Sequence, residues 1–219
     1  MGMIFGLVGV THDQAETLRA DPVLANDLVT VAQEEGHDAH HKAFLERLPL
    51  EKRQQAEERR AAIENSPQHQ EYRKLVDEAR SKLSRLGALE SALNLEKSWH
   101  ILHYAFTGDV GPVGSPGDAL LSGEGVGDDM GYGPPRLFDS KSTQAFADFL
   151  ARHTVEELNA RLNYSAMMAA GVYGLPMGQG LEAEFEEGIR REVASYFPQL
   201  RDYVATMASK GNGLLMWLT

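Results

Sequence analysis

Residues 3–10, MIFGLVGV, form an unbroken apolar run rich in Ile, Leu and Val that ends at Thr11. A short run of this kind, without polar alternation, predicts a strand buried on both faces. Thr11 and Gln14 make a T-x-x-Q capping box, which predicts a helix from that point. Asp21-Pro22 breaks it, and a second helix is expected from Val23 to about Glu35. Far down the chain, Leu181, Phe185, Ile189, Val193, Phe197, Leu200 and Val204 recur every three or four residues. That is the buried stripe of a long helix, with Pro198 expected to kink or split it. The end, GNGLLMWLT, reads as a Gly-Asn-Gly turn and a terminal strand.

Between these ends the pattern changes twice. Residues 36–88 are heavily charged, both signs are interleaved, and apolar residues are scattered. Such a pattern predicts exposed helices carrying i,i+4 ion pairs. Ser66-Pro67 divides them, Ser as N-cap and Pro at the first helical position. We expect a helical hairpin projecting from the body, either a solvated spacer or a partner-docking arm. Residues 94–107 are expected to be helical, stopped by Gly108. Residues 109–135 are rich in Gly and Pro and predict a long loop with one short strand at Ala119–Ser122. PRLFDS is the next strand, with Asp139 or Ser140 capping a helix to about His153. Thr154 and Glu157 form a T-x-x-E box for another helix, and GVYGLPMGQG is a loop.

Strands are few and scattered, and regular strand–helix alternation is missing. The expected fold is α+β: a small mixed sheet of short strands packed by several helices, with the charged hairpin of residues 36–88 inserted in a single domain over 1–219.

Placed at 100° steps from Leu95, the residues Trp99, Leu102 and Phe106 fall in one narrow stripe that must face the core. Ile101 and Ala105 lie well round from it, so the helix is apolar on more than one side and sits mid-domain. Glu96, His100 and His103 fall together on a flank, at spacings of four and three. E-x-x-x-H-x-x-H could place a base beside an orienting carboxylate, or hold a metal. It is not the H-E-x-x-H metalloprotease motif, and only two nitrogen ligands are in view, so no metal is assigned. The competing reading is a Glu–His ion pair beside a core histidine bonded to backbone. A second histidine cluster, HDAHH at 37–41, stands in the charged arm. In GYGPPR, Tyr132 between two glycines presents a ring, and Arg136 could clamp an anion. The competing reading pairs Arg136 with Asp128 or Asp129. His100 and His103 are the candidate catalytic pair; Glu96, Trp99, Tyr104, Tyr132 and Arg136 are the candidate binding residues.

Other chemistry is excluded more firmly. GEGVGDD places its third glycine one residue too early for a dinucleotide fingerprint and follows it with acids. NYSAM and LLSGEG lack the nucleophile elbow. With no cysteine there is no disulfide, thiolate metal site or cysteine nucleophile. The net charge of −11, from 32 acidic against 21 basic residues, disfavours nucleic acid and suits solubility or a basic partner. The apolar start has no basic flank or cleavage site and is too short to span a bilayer. Position 6 is Gly where a myristoylation motif needs Ser or Thr. These features lead us to expect a cytoplasmic protein, without cofactor, membrane or nucleic acid, taking a protein partner or a small-molecule ligand.

MGMIFGLVGV, LEKSWHILHYAFTG, GYGPPRLF, the Tyr173-containing GVYGLP and GNGLLMWLT together resemble the YfbM-like family. The likeness is loose over residues 1 to about 32 and good over 89–219. Its specific part is Lys97-Ser98-Trp99-His100 and Leu102-His103-Tyr104 with the Thr107-Gly108 end. The resemblance implies a bacterial, intracellular α+β protein and no particular reaction. Residues 36–88 are longer than the family's short connection. Gly174 stands before Leu175-Pro176 where a tyrosine followed directly by proline is usual.

Two functions remain open at this stage. One is a non-catalytic binding or regulatory protein, antidote-like in one form and covering a basic partner. The other is a small-molecule hydrolase or lyase with His100 or His103 as base and Arg136 as anion clamp.

Overall fold

The computed structural model describes residues 3–178 and 180–219, with the backbone alone at 37–44 and 47. The first expected strand forms as β1 (Phe5–Val10), buried at every position. It pairs antiparallel with the terminal strand β5 (Gly213–Leu218), from Phe5 opposite Leu218 to Val10 opposite Gly213. The two ends of the chain thus make the centre of the sheet. β2 (Leu93–Glu96) flanks β1, while β4 (Arg136–Phe138) and then β3 (Glu124–Gly125) flank β5. Expected as mixed, the sheet is antiparallel in all these pairings.

Helices cover both faces, which is why β1 and β5 read as continuous apolar runs. Phe5, Leu7, Leu214, Met216 and Leu218 point into one core. It is closed by α5 (Ser98–Thr107), α6 (Ser140–Leu150), α7 (Val155–Ala160), α8 (Tyr164–Ala170) and α9 (Glu182–Ser209). Val8, Val10, Leu215 and Trp217 point the other way. There they meet α1 (His12–Ala20), α2 (Val23–Arg47) and α4 (Pro67–Leu83). The fold is α+β.

The capping signals hold. Thr11 and Gln14, and Thr154 and Glu157, form reciprocal capping boxes. Ser66 caps α4 ahead of Pro67, and Asp139 caps α6. Each satisfies N–H groups that a helix start leaves unpaired.

Other boundaries differ. α2 runs past Glu35 to Arg47. Residues 93–96 are a strand and α5 begins only at Ser98, because Glu96 takes a left-handed turn (φ 50°) and its N–H is held by Asn94 Oδ1 at 2.7 Å. Ala119–Ser122 is no strand: Pro116–Leu121 winds as a 3-10 turn, boxed by Ser115 and Asp118. α6 stops at Leu150 rather than His153. Pro198 does not split α9, which loses one N–H donor and keeps its stripe of Ile189, Val193, Phe197, Leu200 and Val204 buried.

The charged segment divides in two. α4 buries Val76, Ala79 and Leu83 beside α2, and so belongs to the helical layer on the sheet. α3 (Leu50–Glu64) buries no side chain. The histidine cluster at 37–41 lies outside the described side chains.

Candidate functional site

Trp99, Leu102 and Phe106 lie in the first core where their spacing put them, and so do Ile101 and Ala105; Leu95, the start of the expected stripe, reaches that core from β2 and not from the helix. Tyr104 is half-buried against the same core. The flank of Glu96, His100 and His103 does not form, since Glu96 ends β2 and is not on the helix. Among the described residues no group of three His, Asp or Glu side chains could hold a metal ion.

Both imidazoles face backbone. His100 Nε2 donates to the Val110 carbonyl at 3.0 Å, and its Nδ1 accepts the Tyr173 N–H at 2.9 Å. Burial pushes the His100 pKa down, the Val110 carbonyl opposes this and His103 adds to it. His100 also stacks on Trp99, ring centres 4.6 Å apart. His103 is fully buried; its Nε2 donates to the Gly111 carbonyl at 3.1 Å, and its Nδ1 has no partner among the described residues.

Arg136 does the same work further along the loop. It pairs with neither Asp128 nor Asp129 but donates to the carbonyls of Leu120 (3.0 Å) and Leu121 (3.3 Å). Burial lowers its pKa. Asp118 takes the N–H groups of Val113 and Ser115. Burial alone would raise the pKa of Asp118, but its bonds from the N–H groups of Val113, Ser115 and Gly114 outweigh this and hold it low. His100, His103, Asp118 and Arg136 are therefore anchors of the loop 109–121. Tyr132 stands apart, half exposed, on a turn where Asp129 Oδ1 accepts the N–H groups of Gly131 and Gly133.

A wide concavity lies elsewhere, between the charged arm and the far end of the sheet. It is a cleft of about 1040 Å³. Its floor includes Ile4, Gly6, Leu93 and Trp217, and α2 and α4 contribute Gln33, Glu34, His69 and Tyr72. A side chain at position 6 would put its Cβ 2.3 Å from the Trp217 ring, so glycine lets the indole lie against β1. The roof is α3. Its cleft residues include Lys52, Gln55, Ala56, Arg59, Arg60 and Ile63. They recur at intervals of three and four, one face of one helix. The sequence held this signal, but interleaved charge hid it, because Lys52, Arg59 and Arg60 read as solvated positions.

Polar side chains on the sheet side of the cleft each make a bond within the protein. Asn94 Oδ1 holds the Glu96 N–H, and Gln33 donates to the Thr219 hydroxyl. Glu34 is buried and meets Arg73 at 2.9 Å. Burial and the neighbouring Glu34 raise the Tyr72 pKa. On the roof Arg60 pairs with Glu64 at 2.5 Å, while Lys52 and Arg59 make no ion pair among the described residues.

Comparison with known proteins agrees with the fold. The chain resembles the crystal structure of YfbM from Escherichia coli, a protein of unknown function, with a TM-score of 0.52 and 17% identity over 99% of each chain. No curated protein matches the chain in sequence. The profile of the family described as Domain of unknown function (DUF1877) matches residues 1–217, and the chain belongs to that family.

Proposed function

We propose that the protein is a non-catalytic binding protein whose site is the cleft between α3 and the β2–β1–β5 end of the sheet. The observation that carries this is α3 itself. It is a helix of 15 residues with no buried side chain, and one face of it roofs a cleft of about 1040 Å³. Small-molecule sites are concavities of this order, largely apolar with a few placed polar groups.

The hydrolase or lyase alternative draws less support. His100 has both ring nitrogens bonded to backbone, and fully buried His103 offers a substrate no access. An antidote-like role against a basic partner rests on the net charge of −11 alone, and charge of that size first serves solubility. The lack of cysteine suits a reducing cytoplasm. No helix among the described residues is long and apolar enough to cross a membrane.

Titration with Nile red, a neutral dye that brightens in apolar surroundings, tests the reading. Saturable binding is expected, lost in Ala56→Trp, which fills the cleft, and kept in Leu50→Ala, which changes an exposed α3 residue outside it. No saturable binding, or binding indifferent to Ala56→Trp, overturns it.

A further inference from the structure

Resting on that reading, we infer that the cleft takes an anionic amphiphile: a long-chain carboxylate, its tail on the sheet and its head under Lys52 and Arg59. The two walls differ in kind. The sheet-side wall is lined by Ile4, Leu93, Ala92 and the nearly buried Trp217. Its polar side chains each make one bond already, Asn94 to Glu96, Gln33 to Thr219 and Glu34 to Arg73. A heterocycle that needs hydrogen bonds at its edge finds few there, whereas a hydrocarbon tail needs none. Covering such a wall with a tail removes apolar area from water at about 25 cal/mol per Å².

The roof supplies the opposite chemistry. Lys52, Gln55 and Arg59 stand at i, i+3 and i+7 on one face of α3. The two cations are about 10.5 Å apart along the helix axis, within reach of one head group for side chains of their length. Neither makes an ion pair among the described residues, while the two described acidic side chains that line the cleft, Glu34 and Glu64, are each matched by an arginine. Among the described side chains of the lining, Lys52, Arg59 and Arg60 stand against Glu34 and Glu64, so cationic side chains outnumber acidic ones there in a chain of net charge −11. Such an excess selects anions and repels cations of the same shape. Ile63, 63% exposed on the same face, would gain cover from the tail.

The test titrates the whole protein, below micelle concentrations, with laurate, dodecanol and dodecylammonium in competition with Nile red. Laurate is expected to displace the dye at least about tenfold more effectively than dodecanol, a difference of about 1.4 kcal/mol, with dodecylammonium weakest. Lys52→Gln with Arg59→Gln should remove the preference for laurate while the melting temperature holds, since α3 buries neither residue. If laurate and dodecanol compete equally, or if the double variant keeps the preference, the anionic class is wrong while dye binding still marks the cleft. If neither dye nor amphiphile binds, the cleft reading falls first and this inference with it. Capture by phosphatidylglycerol vesicles without binding of monomeric laurate would overturn it in favour of a lipid surface.

Discussion

His100 Nδ1 accepts the backbone N–H of Tyr173 at 2.9 Å while its Nε2 donates to the Val110 carbonyl, so the ring must be neutral in the folded protein. Protonation would turn Nδ1 into a donor facing a donor. The folded pKa is lowered, chiefly by burial, from an unfolded value near 6.5. Its contribution to stability is therefore fully present above about pH 6.5 and is lost as pH falls through the lower folded value. Asp118 and Asp139, also lowered, lose theirs in a more acidic range, below the ordinary carboxylate value. His153 is lowered too, first by burial, and acts in the same window as His100. Denaturant melts between pH 5 and 7.5 should show stability falling towards acid, with a shallower slope in His100→Asn. An unchanged slope would mean that His100 does not titrate in that range.

Arg136 and Tyr132 come from the same GYGPPR motif and should respond oppositely. Arg136→Met strips donors from the Leu120 and Leu121 carbonyls. Leaving such groups unsatisfied costs about 1–3 kcal/mol. Amide exchange over residues 109–121 should quicken in that variant more than elsewhere. Tyr132→Ala changes a half-exposed ring on a turn held by Asp129 and should stay within about 0.5 kcal/mol of the parent. Equal losses in the two variants would contradict the assignment of Arg136 as the loop's anchor.

What the sequence disclosed divides by physical cause. Elements set by local chemistry were legible: the capping boxes at Thr11 and Thr154, the Ser66-Pro67 start, the Gly108 stop, and the two apolar runs that became β1 and β5. Of the short strands, β4 was legible in PRLFDS, but β2 and β3 were not, because their existence depends on partners. Leu93–Glu96 carries a pattern a helix could use, and it is β1 that draws it into the sheet. β3 has two residues, too few to leave any periodicity. The histidine helix was recognised but begun four residues too early, and its imidazoles were left between a catalytic and a backbone-bonded reading, since spacing along a helix does not reveal that the carbonyls of Val110 and Gly111 fold back onto the rings. The cleft escaped notice because its walls come from residues as distant as Ile4, Lys52 and Trp217.

Tyr203 joins α9 to the sheet edge. Its hydroxyl accepts the Gly9 N–H at 2.9 Å and donates to the Ser91 carbonyl at 2.8 Å. Burial pushes its pKa up to about 12, against about 10 for an unfolded tyrosine. The raised value favours the protonated folded state, so this contribution is complete below about pH 10 and disappears as pH rises through 12. Tyr203→Phe leaves both backbone groups without this partner and should cost about 1–3 kcal/mol at neutral pH. It should also flatten the alkaline loss of stability between pH 10 and 12. Difference absorbance of the phenolate, followed with the melts, checks that this tyrosine is the one that titrates late.

Gly6 and Trp217 couple stability to the cleft. They stand opposite one another across β1 and β5, and both border the cleft. A methyl group at position 6 would meet the indole at 2.3 and 2.4 Å, contacts that real side chains do not tolerate. The ring is 3% exposed and backed by the second core, so the open side available to it is the cleft. Overpacking of this kind costs about 1–3 kcal/mol. Gly6→Ala should therefore lower the melting temperature and, at temperatures where the variant remains folded, weaken Nile red binding as the displaced indole fills the floor. Trp217→Leu in the Gly6→Ala background removes the ring that causes the clash. It should recover part of the stability that Gly6→Ala loses, which the same Leu substitution in the parent cannot do. Additive losses in the double variant would show that the penalty at position 6 arises from the backbone rather than from the indole.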